Sequence, residues 1–340
     1  MKKGIDWEGR IGRRLRLRDL HVLLAVVQSG SMAKAAVTLG VSQPVVSEAV
    51  ADLEAAIGVR LVDRSRRGVT PTLYGEAILA RSRIVFDELR QGIRDIEFLA
   101  EPSLGEVRIG CPESLAIGVL PPIIDAFSRR FPRVRFHVAQ TNTLNPRLEF
   151  PGLRERKLDV VLARVVETPG DVEFADDLDV EPLIDDHLLV VVGASSPWAA
   201  RRKIRLAELA DAPWILPANS WNSLRVEEAF AAIGVKMPDV IIDTFSVALR
   251  NQLLATGRFV TAMPASTLNT QARDAHLKVL PVALPNKSWP VMMVTLKERT
   301  LSPAANHFIA CARAVTGRAG EPTHSAKTRI QADRAAAARP

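Results

Sequence analysis

Residues 31–53 read SMAKAAVTLGVSQPVVSEAVADL. The spacing of small and apolar residues predicts two short helices joined by a tight turn. Met32, Ala35, Ala36 and Leu39 share one helical face, and Ala36 is small enough to let a second helix cross closely. Gly40 ends the first helix with the positive φ that a left-handed cap requires. Val41 is expected as the buried elbow. Ser42 is suited to cap the second helix, and Pro44 in its first turn needs no intrahelical donor. Val45, Val46, Ala49, Val50 and Leu53 then recur at helical spacing. This is a helix-turn-helix pattern, whose second helix fits a DNA major groove. An αα-hairpin inside an enzyme shows the same local pattern, so the flanking sequence has to separate the two.

At 340 residues the chain is long enough for two or three domains. Its 47% hydrophobic and 24% charged content is that of a soluble globular protein. No apolar run is long enough to span a bilayer. The basic start, MKKGIDWEGRIGRRLRLRDL, has no apolar core of a secretory signal. A cytoplasmic protein without a membrane partner is expected. Cys111 and Cys311 are the only cysteines, with no zinc or CxxC spacing. Two buried thiols are expected, with a redox switch as the alternative. The six histidines have no metal-ligand spacing. GxSxG, GxGxxG and P-loop motifs are missing. These readings predict no metal, no cofactor and no enzymatic activity.

The net charge of +7 is concentrated at the two ends. Residues 1–70 hold 12 Lys+Arg against 7 Asp+Glu, and residues 317–340 hold 5 against 2. Residues 71–316 are near neutral, with 28 against 29. A basic N-terminal region suits a polyanion, because neutralising phosphates supplies much of DNA affinity.

The organisation follows from local patterns. Residues 1–15 are expected as a flexible basic arm and 16–72 as a winged helix-turn-helix domain. Its first helix, Leu17–Ser29, has Leu17, Leu20, Leu23, Leu24 and Val27 on the inner face. After Gly58, VRLVDRSRRGVTPT predicts a hairpin wing with Arg66-Arg67-Gly68 at its tip. Thr72 can cap a long helix over 73–100, whose Ile78, Val85, Leu89, Ile93 and Ile96 need a partner. Self-association satisfies that stripe, and a core position in one compact domain is the alternative.

A hinge is expected at 101–106. Beyond it strands and helices alternate. Strands are expected at 107–110, 135–140, 158–163, 187–192, 214–216, 240–242, 259–263, 279–284 and 291–296. Helices are expected at 115–131, from after Pro151 to 156, and at 206–209, 223–233, 246–255 and 303–315. The pattern predicts an α/β domain over 107–316 with two lobes and a cleft. The first lobe takes 107–178 and 286–316, the second 179–285. A disordered tail is expected over 317–340.

Together these features resemble the LysR-type transcriptional regulators. Ala35-Ala36, Val41-Ser42-Gln43-Pro44, Ser47, Leu53-Glu54, Gly58, Arg60-Leu61, Arg64 and Gly75-Glu76 match that family's N-terminal signature. The resemblance covers roughly residues 16–316. It implies a winged helix-turn-helix, a linker helix and a two-lobed effector domain like periplasmic binding proteins. It also implies a homodimer or homotetramer, a small-molecule effector between the lobes, and RNA polymerase as a further partner. Two departures stand out. Glu48 and Asp52 make the recognition helix acidic, which shifts phosphate anchoring to Lys34, Arg60, Arg64, Arg66 and Arg67. Thr72-Leu73-Tyr74-Gly75 also lacks the usual Thr-Pro start, with Pro71 one place ahead.

The candidate DNA contacts are these basic residues with Ser31, Ser42, Gln43, Pro44 and Ser47. Gln43 can pair with adenine in two hydrogen bonds, and Pro44 and Val45 can touch a thymine methyl. Ser42 serves equally well as a cap alone. A two-fold protein implies double-stranded DNA with an interrupted inverted repeat. Candidate effector contacts lie where strands end and helices begin. Ser114 opens a helix whose amides favour a carboxylate, and Arg164 follows an apolar strand and can pair with it. The resemblance places Thr141 and Asn142 across from Ser114. Asn219, Ser220, Trp221, Asn222, Ser223, Thr244 and Ser246 are the candidates from the second lobe. Each also reads as a plain cap or turn residue. Two other readings stay open: a solute-binding or enzymatic α/β protein with a helical N-terminal domain that does not bind DNA, and a corepressor-like interaction module.

Overall fold

In the computed structural model, residues 14–65, 68–101, 104–141, 150–164, 176–218, 220–271, 276–282, 284 and 290–317 are described. The expected arm up to residue 13, the wing tip Arg66-Arg67 and the tail from 318 lie outside them. The fold divides into two units at Gly92/Ile93.

In the first unit, α1 (Leu17–Ser29), α2 (Met32–Leu39) and α3 (Gln43–Ile57) precede a hairpin of β1 (Val62–Ser65) and β2 (Gly68–Pro71). A long helix, α4 (Leu73–Ala100), follows. Each of the three short helices closes on a glycine with φ between 65° and 86°, Gly30, Gly40 and Gly58. Leu20, Leu23, Val26, Met32, Ala35, Val46, Val50, Leu53, Leu61 and Leu79 form one core. Burying a side chain as large as leucine contributes about 1.5–3 kcal/mol. The apolar spacing of α1–α3 therefore determines how they pack. Two expectations fail. Leu17 is exposed and the first turn of α1 buries Asp19 instead. Val41 is exposed too, since its amide closes the α2 cap on the Ala36 carbonyl and its side chain points away.

The second unit begins within α4. It continues through β3 (Leu104–Cys111), α5 (Glu113–Gly118), α6 (Leu120–Arg130), β4 (Arg133–Gln140), α7 (Pro151–Arg154), β5 (Val160–Arg164) and β6 (Leu178–Ile184). Next come β7 (Leu188–Gly193), β8 (Trp214–Ile215), α8 (Trp221–Ala232), β9 (Val240–Ile242), α9 (Val247–Ala255), β10 (Val260–Pro264), α10 (Ala265–Gln271) and β11 (Leu277–Val279). The chain then returns through β12 (Val291–Leu296) and α11 (Pro303–Val315). One sheet has the order β4-β3-β5-β12-β6, the other β11-β7-β10-β8-β9. β4, β3 and β5 are mutually parallel, and β12 runs antiparallel to both β5 and β6. Each sheet has its own apolar core, one around Phe127 and Phe308 and the other around Trp214 and Phe230.

Several boundaries move. β3 starts at Leu104, so the expected hinge at 101–106 shortens. The expected helix 115–131 breaks at Val119, where Pro121 and Pro122 begin a new helix without donors. β6 was not foreseen, because Asp179, Glu181 and Pro182 dilute its apolar alternation. It tolerates Pro182 as the edge strand of its sheet. Its pairing with β12 puts residues 178–184 in the first lobe, so the division expected at 178/179 falls at 185–187. α10 follows β10 with no loop, and the strand expected at 279–284 ends at Val279. Among the described residues no helix is long and apolar enough to cross a membrane.

Candidate functional sites

The first site lies on α3 and the wing. Val46, Ala49, Val50, Leu53 and Ala56 turn inward, which leaves Ser42, Gln43, Pro44 and Glu48 exposed and Ser47 half-buried. The Ser42 backbone is extended as an N-cap should be, yet its side chain makes no cap hydrogen bond. Its hydroxyl is not committed to that role. Ser31 does cap, accepting from the Lys34 amide at 3.5 Å, and Lys34 is exposed. Arg60 and Arg64 are exposed at the base and side of the wing. Arg66 and Arg67 lie outside the described residues.

The wing is held by hydrogen bonds to its backbone that the sequence motif does not reveal. Glu54 on α3 accepts from the amides of Leu61 (2.7 Å) and Val62 (3.2 Å). The Leu53-Glu54 pair of the signature thus joins core packing to wing placement. The Val69 amide donates to the Gly30 carbonyl at 2.9 Å. Thr72 donates through its hydroxyl to the Arg60 carbonyl (2.8 Å) and accepts from the Gly75 amide (3.1 Å). The helix cap survives without the usual Thr-Pro start. Burial pushes the Asp19 carboxyl above its ordinary pKa, and the charge of Asp52 adds to that.

The second site lies between the two sheets. Arg164, at the end of β5, is buried and donates to Asp186 (2.7 Å), Ser266 (2.9 Å) and Ser114 (3.0 Å). Asp186, in the crossover between lobes, also accepts from the amides of His187 (2.9 Å) and Ser266 (3.1 Å) and from the Ser266 hydroxyl. Burial lowers the Arg164 pKa and Asp186 opposes that. The Thr267 hydroxyl donates to the Ser114 carbonyl at 3.3 Å. A Cβ on Gly118 would sit 2.5 Å from the Ser266 carbonyl oxygen, so α5 and α10 meet backbone to backbone. Arg164 was expected as the partner of an effector carboxylate. It already has a carboxylate partner in Asp186, so its charge is offset within the fold.

A second bridge joins the lobes beside Ser114. Glu113 accepts from the Val247 amide, at the start of α9, at 3.1 Å. Ser246 caps α9 by accepting from the Leu249 amide at 3.3 Å, and Thr244 accepts from the Ser246 amide at 3.1 Å. Arg250, one turn into α9, is buried. Its Nε and Nη2 have no hydrogen-bond partner among the described residues. Burial lowers its pKa to about 10, and Glu113 acts in the opposite sense.

Ser114, Arg164, Thr244 and Ser246 thus gather around α5. Thr141 follows β4 beside Cys111, whose carbonyl accepts its amide, and its buried hydroxyl has no partner among the described residues. The other second-lobe candidates are engaged in their own lobe. Ser220 and Ser223 both donate to the Pro217 carbonyl, Asn222 donates to Ala262, and Trp221 packs on the second core. Asn142 and Asn219 lie outside the described residues. Sequence reading missed Glu113, Asp186, Arg250, Ser266 and Thr267. Asp186 and Ser266 carry no local signal, since only the crossing of two sheets brings them together.

Both thiols are muted. Cys111 is buried, which pushes its pKa to about 11, and burial also raises that of Cys311. At pH 8 the Cys111 shift alone leaves about 100-fold less thiolate. Iodoacetamide followed by mass spectrometry should find native Cys111 at least that much slower than in urea. Labelling at the unfolded rate would restore the redox switch.

A helical reading head with a wing, followed by two sheets bridged across a polar cleft, is the architecture of a ligand-responsive DNA-binding regulator. The chain matches the bacterial regulatory helix-turn-helix protein, lysR family, over residues 17–76 and the LysR substrate binding domain over 100–317. It belongs to the LysR family of DNA-binding transcriptional regulators with an effector-binding domain. It is 30% identical to the transcriptional regulator GalR of Pseudomonas putida over 88% of this chain and 73% of that protein. It is 28% identical to YdcI of Escherichia coli, covering 87% and 94%, respectively. Among solved structures it resembles CbnR (TM-score 0.58, 20% identity, 89% and 99% covered). It also resembles a full-length OxyR variant from Pseudomonas aeruginosa (0.60, 21%, 88% and 94%).

Proposed function

We propose that this protein reads an interrupted inverted repeat as a cytoplasmic homo-oligomer and is controlled by a small molecule bound between its two lobes. The observation that carries the reading is the buried Ser114–Arg164–Asp186–Ser266 cluster, which ties both lobes to the crossover between them. A ligand that favours one arrangement of that cluster shifts the equilibrium between arrangements of the lobes. Val85, Leu89, Ile93, Ile96 and Leu99 form an exposed apolar stripe along α4, which supports pairing with a second copy. The protein acts by binding and not by catalysis. Dimer and tetramer both satisfy the stripe.

At the DNA, Gln43, Pro44 and Ser47 reach base edges while Lys34, Arg60, Arg64, Arg66 and Arg67 anchor phosphates. Titrating the purified protein on its own upstream DNA and on random DNA, at several salt concentrations, tests this. Tight binding to a two-fold site with a large excess over random DNA is expected. Gln43→Ala should relax sequence preference, costing about 1–3 kcal/mol at the base it reads. Arg64→Ala should weaken all sequences alike and reduce the salt slope by about 1. Unchanged discrimination in Gln43→Ala would remove its base-reading role. Equal weak binding to both DNAs would count against the acidic α3 as a reader of this promoter.

A further inference from the structure

Arg250 is a buried cation whose Nε and Nη2 find no partner among the described residues. It lies one turn inside a nine-residue helix whose first amide is taken by a carboxylate from the other lobe. Glu113 reaches that amide but makes no hydrogen bond or ion pair with the guanidinium, on which it acts only through its charge. Arg164, by contrast, holds a carboxylate directly, Asp186, along with the hydroxyls of Ser114 and Ser266. Of these two buried guanidiniums, the one without a hydrogen-bonded carboxylate is therefore that of Arg250, on α9.

We propose that the start of α9 and Arg250 form a carboxylate subsite of the effector cleft, occupied by the Glu113 side chain until a carboxylate-bearing effector displaces it. This rests on the reading of the cleft as the effector site. The α9 amides and the positive end of the helix attract an anion. An incoming carboxylate gains what Glu113 lacks, hydrogen bonds to the guanidinium fork, and charge-assisted pairs of that kind are strong. Glu113 is half-buried and can turn toward water when released. The exchange removes a first-lobe group from a second-lobe helix. Ligand entry thereby loosens one bridge between lobes while the Arg164–Asp186 cluster holds the other. The internal carboxylate also sets affinity: apparent binding weakens in proportion to the fraction of subsites left open.

Chemical rescue tests this on the full-length protein. Thermal unfolding of wild type, Glu113→Ala, and Glu113→Ala combined with Arg250→Gln is followed in sodium acetate, succinate, phosphate and chloride at matched ionic strength. Glu113→Ala should melt below wild type and recover with acetate or succinate but not with chloride. Its half-saturating succinate concentration should be at least about tenfold lower than that of wild type. The double variant should lose the recovery. Should Glu113→Ala not fold, Glu113→Gln gives the same comparison, since its amide cannot supply the missing charge.

No carboxylate-specific recovery, or equal recovery in the double variant, would overturn the subsite. Recovery with phosphate as strong as with succinate would overturn the assignment to carboxylates. The effector reading is judged separately, by whether any ligand shifts the DNA titration of wild type. A rescued variant beside an unresponsive titration sinks the effector reading and keeps the subsite; the reverse sinks the subsite alone.

Discussion

Asp186→Ala is expected to lower the stability of the second unit by about 3–5 kcal/mol, the usual cost of leaving a buried charge without its partner. Arg164 and Asp186 are both almost fully buried and 2.7 Å apart. Asp186 also accepts from the His187 and Ser266 amides and the Ser266 hydroxyl, so alanine strands these donors as well. Asp186→Asn keeps an acceptor and loses the charge, and should fall between alanine and wild type. Arg164→Met with Asp186→Leu removes both charges together and should recover a large part of the loss. Urea unfolding monitored on the second unit measures all four. A loss under 1 kcal/mol in Asp186→Ala would mean that solvent reaches the cluster and that it does not clamp the lobes.

Gly75→Ala should disable the DNA-binding unit. A Cβ there would overlap the Leu61 carbonyl oxygen and come within 3.3 Å of the Pro71 Cβ. Neither neighbour is the free end of a flexible side chain. Overpacking of this kind costs about 1–3 kcal/mol and occasionally more, against a gain of about 1 kcal/mol from alanine's better helix propensity. α4 has to shift away from the wing, which loosens the Thr72 contacts to Arg60 and Gly75. Operator affinity should fall at least tenfold. Gly92→Ala is the matched control. It sits in the same helix with nothing within 4 Å of its Cβ, and should stabilise by up to about 1 kcal/mol. Equal behaviour of the two variants in urea and DNA titrations would refute the steric argument.

The reading head was legible because its information is local. Apolar spacing, three closing glycines and Pro44 act within one or two turns, and α1–α3 follow them closely. The two-lobed α/β plan was legible from the alternation of strands and helices. Errors arose where distant chain decides. β6 is a strand because β12 pairs with it, and its own Asp179, Glu181 and Pro182 argue otherwise. Leu17 belongs by spacing to an apolar face and Val41 reads as a buried elbow, but the chain turns both outward at helix ends. The cleft was half legible. Ser114 and Arg164 stand at the helix start and strand end where sites form, but the sequence could not show that Asp186, some twenty residues on, neutralises Arg164. Nor could it show that Glu113 reaches a helix more than a hundred residues away.

The first sheet is also assembled out of order. β5 and β6 do not touch each other as partners; each pairs with β12, which is made more than a hundred residues later. The second sheet, by contrast, is drawn entirely from residues 188–279. On the ribosome its five strands are all available before the first sheet receives β12, the strand between β5 and β6. Until residue 296 is made, the emerging first lobe carries two unjoined edges facing the gap that β12 fills. A chain stopped at 290 would lose a seam rather than a margin.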